Sequence, residues 1–120
     1  MARIVLIEDS PTERAVMMKL LAGAGHEVLE AENAEQGLEL VREHLPQLVL
    51  MDVVLPGMSG FQATRALSRD PATKAIPVII ISTKAMETDK AWGLRQGASD
   101  YIVKPPNEEF LIARINELVS

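Results

Sequence analysis

Cysteine is absent from this chain of 120 residues, which excludes disulfides and thiolate-bound metals. His26 and His44 are its only histidines and helix-like sequence separates them, so a His-rich zinc or copper site is excluded too. A bound metal must therefore sit on oxygen. Basic residues are outnumbered 12 to 17, for a net charge of −5, and no basic run exceeds two residues. Contacts to a phosphate backbone are not served by such a surface, and nucleic acid is not expected as a partner. Long apolar runs are missing as well. Ile4 to Ile7 and Val78 to Ile81 fall far short of the roughly 20 residues a membrane helix needs, so no membrane insertion is expected. Glu8 arrives too early for a secretory signal. The chain reads as one cytoplasmic domain over residues 1–120, with no linker, repeat or separate output domain. With 48% hydrophobic residues it has enough apolar surface for a single core.

Short runs rich in β-branched residues recur at Arg3 to Ile7, Val28 to Ala31, Leu48 to Met51, Val78 to Ile81 and Tyr101 to Val103, each a predicted strand. Helix-period segments lie between and after them. Ala34, Leu38, Val41 and Leu45 form one apolar stripe, as do Met17, Leu20, Leu21 and Ala24, and Leu111, Ile115 and Leu118. Ser10-Pro11-Thr12-Glu13 reads as a capping box with proline at the first helical position, and Asn33 with Gln36 and Ser59 with Gln62 are similar starts. The segment near Met86 to Gln96 has the weakest periodicity. Continuous apolar strands alternating with helices require right-handed crossovers and burial on both faces. The fold class is α/β, a doubly wound (βα)5 flavodoxin-like three-layer sandwich around a parallel five-stranded sheet, and the order 2-1-3-4-5 is taken from known folds of that type rather than read from these residues.

The polar residues that follow the strands carry the chemistry. The first strand runs into Glu8-Asp9, the third into Asp52, the fourth into Ser82-Thr83 and the fifth into Lys104-Pro105. Ligands of open α/β sheets bind at the carboxyl ends of strands where the strand order reverses, and in the order 2-1-3-4-5 that point lies between the first and third strands, which deliver the acids. Carboxylates about 4 Å apart repel by about 4 kcal/mol at an effective dielectric near 20. A divalent cation offsets this, and an all-oxygen site with few protein ligands suits Mg2+. Lys104 supplies a second positive charge. A carboxylate, a metal, an ammonium and a hydroxyl aimed at one point suit phosphoryl transfer, whose transition state asks for electrostatic stabilisation. Asp52 is the best nucleophile candidate. A lone Asp after a strand is ordinarily a turn or cap residue, but here Leu55-Pro56-Gly57 follows and the next helix has Ser59 for its cap.

These residues resemble the receiver domains of two-component response regulators, in the single-domain, CheY-like style, over the whole chain. The resemblance implies Asp52 as phosphoacceptor and a Mg2+ site made of Glu8, Asp9, Asp52 and the Val54 carbonyl. It makes Ser82 the switch hydroxyl, with Thr83 beside it, and Tyr101 the aromatic switch. It implies a cis peptide bond between Lys104 and Pro105, with the Lys104 ammonium on the phosphoryl group. Ser82 lies 30 residues after Asp52, and Lys104 lies 22 after Ser82, as the family pattern has them. Val54 and Lys84 stand at positions that govern how water reaches the acyl phosphate, and an apolar Val54 is expected to orient that water poorly. Ser82 stands in place of the commoner Thr. The segments Gly57 to Arg65, Thr83-Lys84, Glu87 to Lys90 and Trp92-Gly93 resemble the chemosensory regulators of type IV pilus twitching motility.

The resemblance implies a monomeric signalling protein rather than an enzyme acting on other substrates. Its partners would be a sensor histidine kinase of the chemotaxis type and a downstream motility protein, unless it serves as a phosphate sink. The new charge on Asp52 would draw Ser82 and its loop inward and vacate space into which Tyr101 turns. The face of the fourth helix, fifth strand and fifth helix, with Lys90, Trp92, Arg95 and Tyr101, would read that change out. The six methionines read as gap-fillers, and both histidines as surface residues next to turns.

Two other classes compete. A metal-dependent phosphatase with an Asp nucleophile wants a second acid two residues on, where Val54 stands. A flavodoxin-like carrier wants a Ser, Thr and Gly-rich phosphate loop after the first strand, where Glu8-Asp9 would repel phosphate. Incubation with a nitrophenyl phosphate and with FMN separates all three readings: neither turnover nor flavin uptake is expected, and absorbance reads both.

Overall fold

The computed structural model describes residues 1–120. Five strands, β1 (Arg3–Ile7), β2 (Glu27–Ala31), β3 (Leu48–Met51), β4 (Val78–Ser82) and β5 (Asp100–Val103), alternate with five helices, α1 (Pro11–Gly23), α2 (Ala34–His44), α3 (Gly60–Arg69), α4 (Glu87–Arg95) and α5 (Glu108–Val119). The sheet is parallel throughout, in the order β2-β1-β3-β4-β5. This is the fold and strand order expected from the sequence. No helix is long and apolar enough to cross a membrane.

The strand sequences explain the layers. Successive residues point to opposite faces, and in β1, β3 and β4 both sets are apolar and buried. Val5, Ile7, Val49, Met51, Val78 and Ile80 pack on one side with Leu38 and Val41 of α2 and Ala63 and Leu67 of α3. Ile4, Leu6, Leu48, Leu50, Ile79 and Ile81 pack on the other with Leu21 of α1 and Leu111 and Ile115 of α5. Each core strand therefore feeds two separate cores, one under each helical layer. The edge strands β2 and β5 are less covered.

Several local expectations need correction. Ser59 and Gln62 do form a reciprocal capping box. Ser10 caps α1 by accepting from the Glu13 N–H, but the Glu13 side chain does not return the bond because its carboxylate is on Lys104. Gln36 likewise turns its amide oxygen to the Glu32 N–H rather than to its cap Asn33. Leu45 leaves the α2 stripe: at φ 45° it ends the helix in the left-handed region and is exposed. Ala24 is likewise an exposed helix end. His26 is buried, with Nδ1 accepting from the Ala2 N–H at 3.1 Å, so it is a structural link to the first strand and not a surface residue. The weak periodicity of α4 also has a cause. The helix approaches the sheet through Gly93, where a Cβ would stand 2.8 Å from the Tyr101 ring and 3.0 Å from Ile80, and leaves Leu94 and Trp92 exposed.

Gly60 opens α3 against the backbone of Asp52. A Cβ there would lie 1.9 Å from the Asp52 carbonyl oxygen, and the Gly60 N–H donates to the Val53 carbonyl. By contrast, Gly23 at the end of α1 faces open space. Gly60→Ala is expected to destabilise the fold by about 2–3 kcal/mol, and Gly23→Ala to stabilise it by up to about 1 kcal/mol. Urea midpoints of the two variants against the wild type check the pair.

Candidate functional site

Parallel pairing places the acids before any side chain is considered. Ile7 of β1 is in register with Met51 of β3, so Glu8 and Asp52 leave adjacent strand ends together. The Asp52 N–H donates to the Ile7 carbonyl at 3.0 Å, and the Glu8 N–H to the Ala31 carbonyl, which holds both residues past the last strand pairs. Glu8 and Asp52 are buried, while Asp9 is exposed. Each of the three offers a carboxylate oxygen, and these oxygens lie within 4.8 Å of one another. Charges that close repel by roughly 3–4 kcal/mol per pair at a dielectric near 20.

Lys104 comes from the end of β5, where its N–H donates to the Ser82 carbonyl. Its ammonium donates to Glu8, to Glu13 at 2.8 Å and to Asp52 Oδ2 at 3.0 Å. The peptide bond between Lys104 and Pro105 is cis. Burial would lower the Lys104 pKa, but hydrogen bonds to Glu13, Glu8 and Asp52 outweigh it and push the value well above that of an ordinary lysine. Burial dominates at Glu8 and raises its pKa, with the Asp52 charge adding to it, against the bonds from Lys104 and the Ser10 N–H. The second oxygens are also held: Asp52 Oδ1 accepts from the Val53 N–H at 2.7 Å and Glu8 Oε2 from the Ser10 N–H at 3.2 Å.

Glu13 and Arg14 belong to this site, and neither was singled out from the sequence. Arg14 donates to the carbonyls of Glu8 and Asp9, at 2.8 and 3.3 Å, and pairs with Glu30. It thereby clamps the backbone that carries the acidic pair. Helical side chains lean toward the helix N-terminus, so a guanidinium one turn into α1 is placed to fold back over the preceding loop. That spacing was the available signal for Arg14. Glu13 offered none, since its position equally suits a capping box.

The neighbouring loop holds the remaining candidates. Ser82 is fully buried and its Oγ accepts from the Lys84 N–H at 3.3 Å. Thr83 is exposed and lines the same cleft as Glu8, Asp52 and Lys104, a cavity of about 420 Å³ that extends over Met17 and Leu20 of α1. Tyr101 is 8% exposed, and its hydroxyl donates to the Lys84 carbonyl at 2.8 Å. The ring therefore lies inward, where its burial and a partner for the hydroxyl satisfy both ends of the tyrosine. Burial raises the Tyr101 pKa, helped by the charges of Asp89 and Asp52 and opposed by the nearby Ser82 side chain. The Val54 side chain is exposed, as is Lys84. Trp92 stands exposed on α4 and has no part in the acidic cluster.

Glu8, Asp9 and Asp52, with Glu13 beside them, face a single ammonium. Such a hard, oxygen-only and net negative donor set fits a cation of the Mg2+ type.

Residues 4–116 match the protein family described as the response regulator receiver domain. The chain is 53% identical over 120 residues to protein PilH of Pseudomonas aeruginosa, covering all of this chain and 99% of PilH. It is 39% identical over 116 residues to the phosphate regulon transcriptional regulatory protein PhoB of the same organism, covering 97% of this chain but 51% of PhoB. A receiver domain of a Pseudomonas aeruginosa sensor histidine kinase, solved with magnesium coordinated in the active site cleft, superposes with a TM-score of 0.91 at 25% identity, covering 98% of this chain and 97% of that one. The chemotaxis protein CheY4 of Vibrio cholerae superposes with a TM-score of 0.90 at 27% identity, covering 98% of each chain.

The raised pKa of Glu8 has a signed consequence. The fold binds this proton more tightly than the unfolded chain does, so the contribution is fully present below the ordinary value of 4.5 and is lost as pH rises through the elevated one. The Lys104 contribution also favours the fold but fades only in strong alkali. In EDTA-treated protein, the stability of Glu8→Gln relative to the wild type is therefore expected to increase as pH is raised from about 4 to about 8. Urea titrations across that range check the slope, and a flat or falling difference contradicts it.

Proposed function

The chain belongs to the response regulator receiver domain family, a phosphorelay signalling family, and from this we propose that Asp52 accepts a phosphoryl group from a sensor histidine kinase. One observation carries the assignment: the Asp52 carboxylate is buried between Glu8, Asp9 and the Lys104 ammonium, with Oδ2 3.0 Å from Nζ. In the transfer, a carboxylate oxygen of Asp52 bonds to phosphorus as the bond from phosphorus to the imidazole nitrogen breaks, and the electron pair stays on that nitrogen. Glu8, Asp9, Asp52 and the Val54 carbonyl would hold Mg2+, which when bound neutralises the acids and the phosphoryl oxygens. Lys104 stabilises charge on a phosphoryl oxygen in the same way. The phosphatase reading is not favoured, because the side chain two residues beyond Asp52 is apolar and offers no proton to a leaving group.

Ser82 and Thr83 are the hydroxyls that answer the new charge. The inward arrangement of Tyr101 is one member of a two-state equilibrium, and phosphorylation raises its population. Lys90, Trp92, Arg95 and Tyr101, on the face formed by α4, β5 and α5, would present the change to a downstream motility protein. A partner that prefers one state of this face also raises the phosphorylated fraction by linkage. The likeness to PilH along its length supports a stand-alone receiver, and our reading is of a cytoplasmic monomer in a chemotaxis-like relay that serves type IV pili, as effector or phosphate sink. Autodephosphorylation would be its only hydrolytic activity. Val54 and Lys84 set its rate by controlling water, with the apolar Val54 slowing it.

Intact-mass analysis after acetyl phosphate and Mg2+ tests the assignment. A single phosphoryl adduct is expected on the wild type and none on Asp52→Asn, and after the donor is removed the adduct is expected to outlast a few seconds. Equal adducts on both proteins would remove Asp52 as acceptor.

A further inference from the structure

The ammonium of Lys104 has three N–H donors, and all three are engaged, by Glu8, Asp52 and Glu13. Two of these partners are fixed in the floor of the site, their side chains 5% and 10% exposed. Glu13 differs. Its side chain is 50% exposed, springs from the first turn of α1 and stands at the solvent edge of the cleft that contains Asp52 and Thr83. A phosphoryl oxygen arriving at Asp52 gains the ammonium only by displacing one of the three, and Glu13 is the one free to swing into water. Until it does, its charge faces the incoming anion.

We propose that Glu13 is a specificity-determining residue for the phosphoryl donor, a carboxylate at the mouth of the site that disfavours free anionic phosphodonors relative to a phosphoryl group delivered by a docked protein. The inference rests on Asp52 as acceptor. In loading from acetyl phosphate, an Asp52 oxygen bonds to phosphorus while the bond from phosphorus to the bridging oxygen breaks, and acetate leaves with the electron pair. The small dianion meets the repulsion of Glu13 and the rupture of the Glu13 to Lys104 pair with no other contacts to offset them. A protein donor offsets both through surface contacts away from the reacting atoms.

Time courses of adduct mass on the full chain, with Mg2+ and with acetyl phosphate or the less negatively charged phosphoramidate, at low and high salt, test this. Glu13→Gln is expected to load from acetyl phosphate roughly tenfold faster at low salt, the effect of one charge facing two at about 6 Å across water. The gain should shrink at high salt and with phosphoramidate, and Glu13→Asp, which keeps the charge, should stay near the wild type. A role confined to starting α1 would change neither the salt dependence nor the dependence on donor charge. Loading of Glu13→Gln at the wild-type rate or slower, or an equal gain for both donors at both salt concentrations, overturns the proposal. Asp52→Asn run alongside separates the two claims: adduct on that variant overturns Asp52 as acceptor, whereas Asp52-dependent adduct without the Glu13→Gln gain overturns only the role of Glu13.

Discussion

Lys104 balances a cluster that would otherwise push itself apart. Three carboxylates, two of them buried, converge where β1 and β3 end side by side, and a fourth reaches in from α1. Burial works against the charged form of Glu8, and the bond from Lys104 works for it. The ammonium offsets part of the mutual repulsion of the acids while leaving the site net negative, which retains an attraction for a second, divalent cation. It is delivered from the end of β5, the edge strand in register with β4.

The geometry that brings these groups together belongs to the backbone. Parallel pairing sets the Asp52 N–H on the Ile7 carbonyl and the Lys104 N–H on the Ser82 carbonyl, so the residues that follow the strand ends share one level of the sheet. Gly60 tightens that level by letting α3 start in contact with the Asp52 carbonyl, and Arg14 tightens it from the other side by holding the carbonyls of Glu8 and Asp9. The exposed parts of the site's rim are the loop of Thr83 and Lys84 and the half-exposed Glu13.

Much of this was legible in residue order because it depends on local rules. The strands are short β-branched runs buried on both faces, and their ends show as abrupt changes from apolar to charged, at Ile7 to Glu8 and Met51 to Asp52. Caps at Ser10, Asn33 and Ser59 follow from side-chain chemistry within one turn. Less was legible where a residue had two good local uses. Glu13 satisfies a capping pattern, yet its carboxylate is taken by the Lys104 ammonium, 91 residues away in the chain. Leu45 continues an apolar spacing but ends its helix, and His26 looks like a turn residue but closes over the first strand.

Periodicity and the placement of acids after strands were sufficient for the fold class and for the grouping of Glu8, Asp9, Asp52 and Lys104, while the strand order was taken from known folds of the same pattern. Those features depend on hydrophobic burial and strand pairing, which leave regular marks along a chain. The engagement of every Lys104 donor, the Arg14 clamp, the approach of α4 through Gly93 and the inward Tyr101 ring were decided only in three dimensions. Each is a contest between partners far apart in the chain, and which partner wins depends on distances that spacing along the chain does not encode.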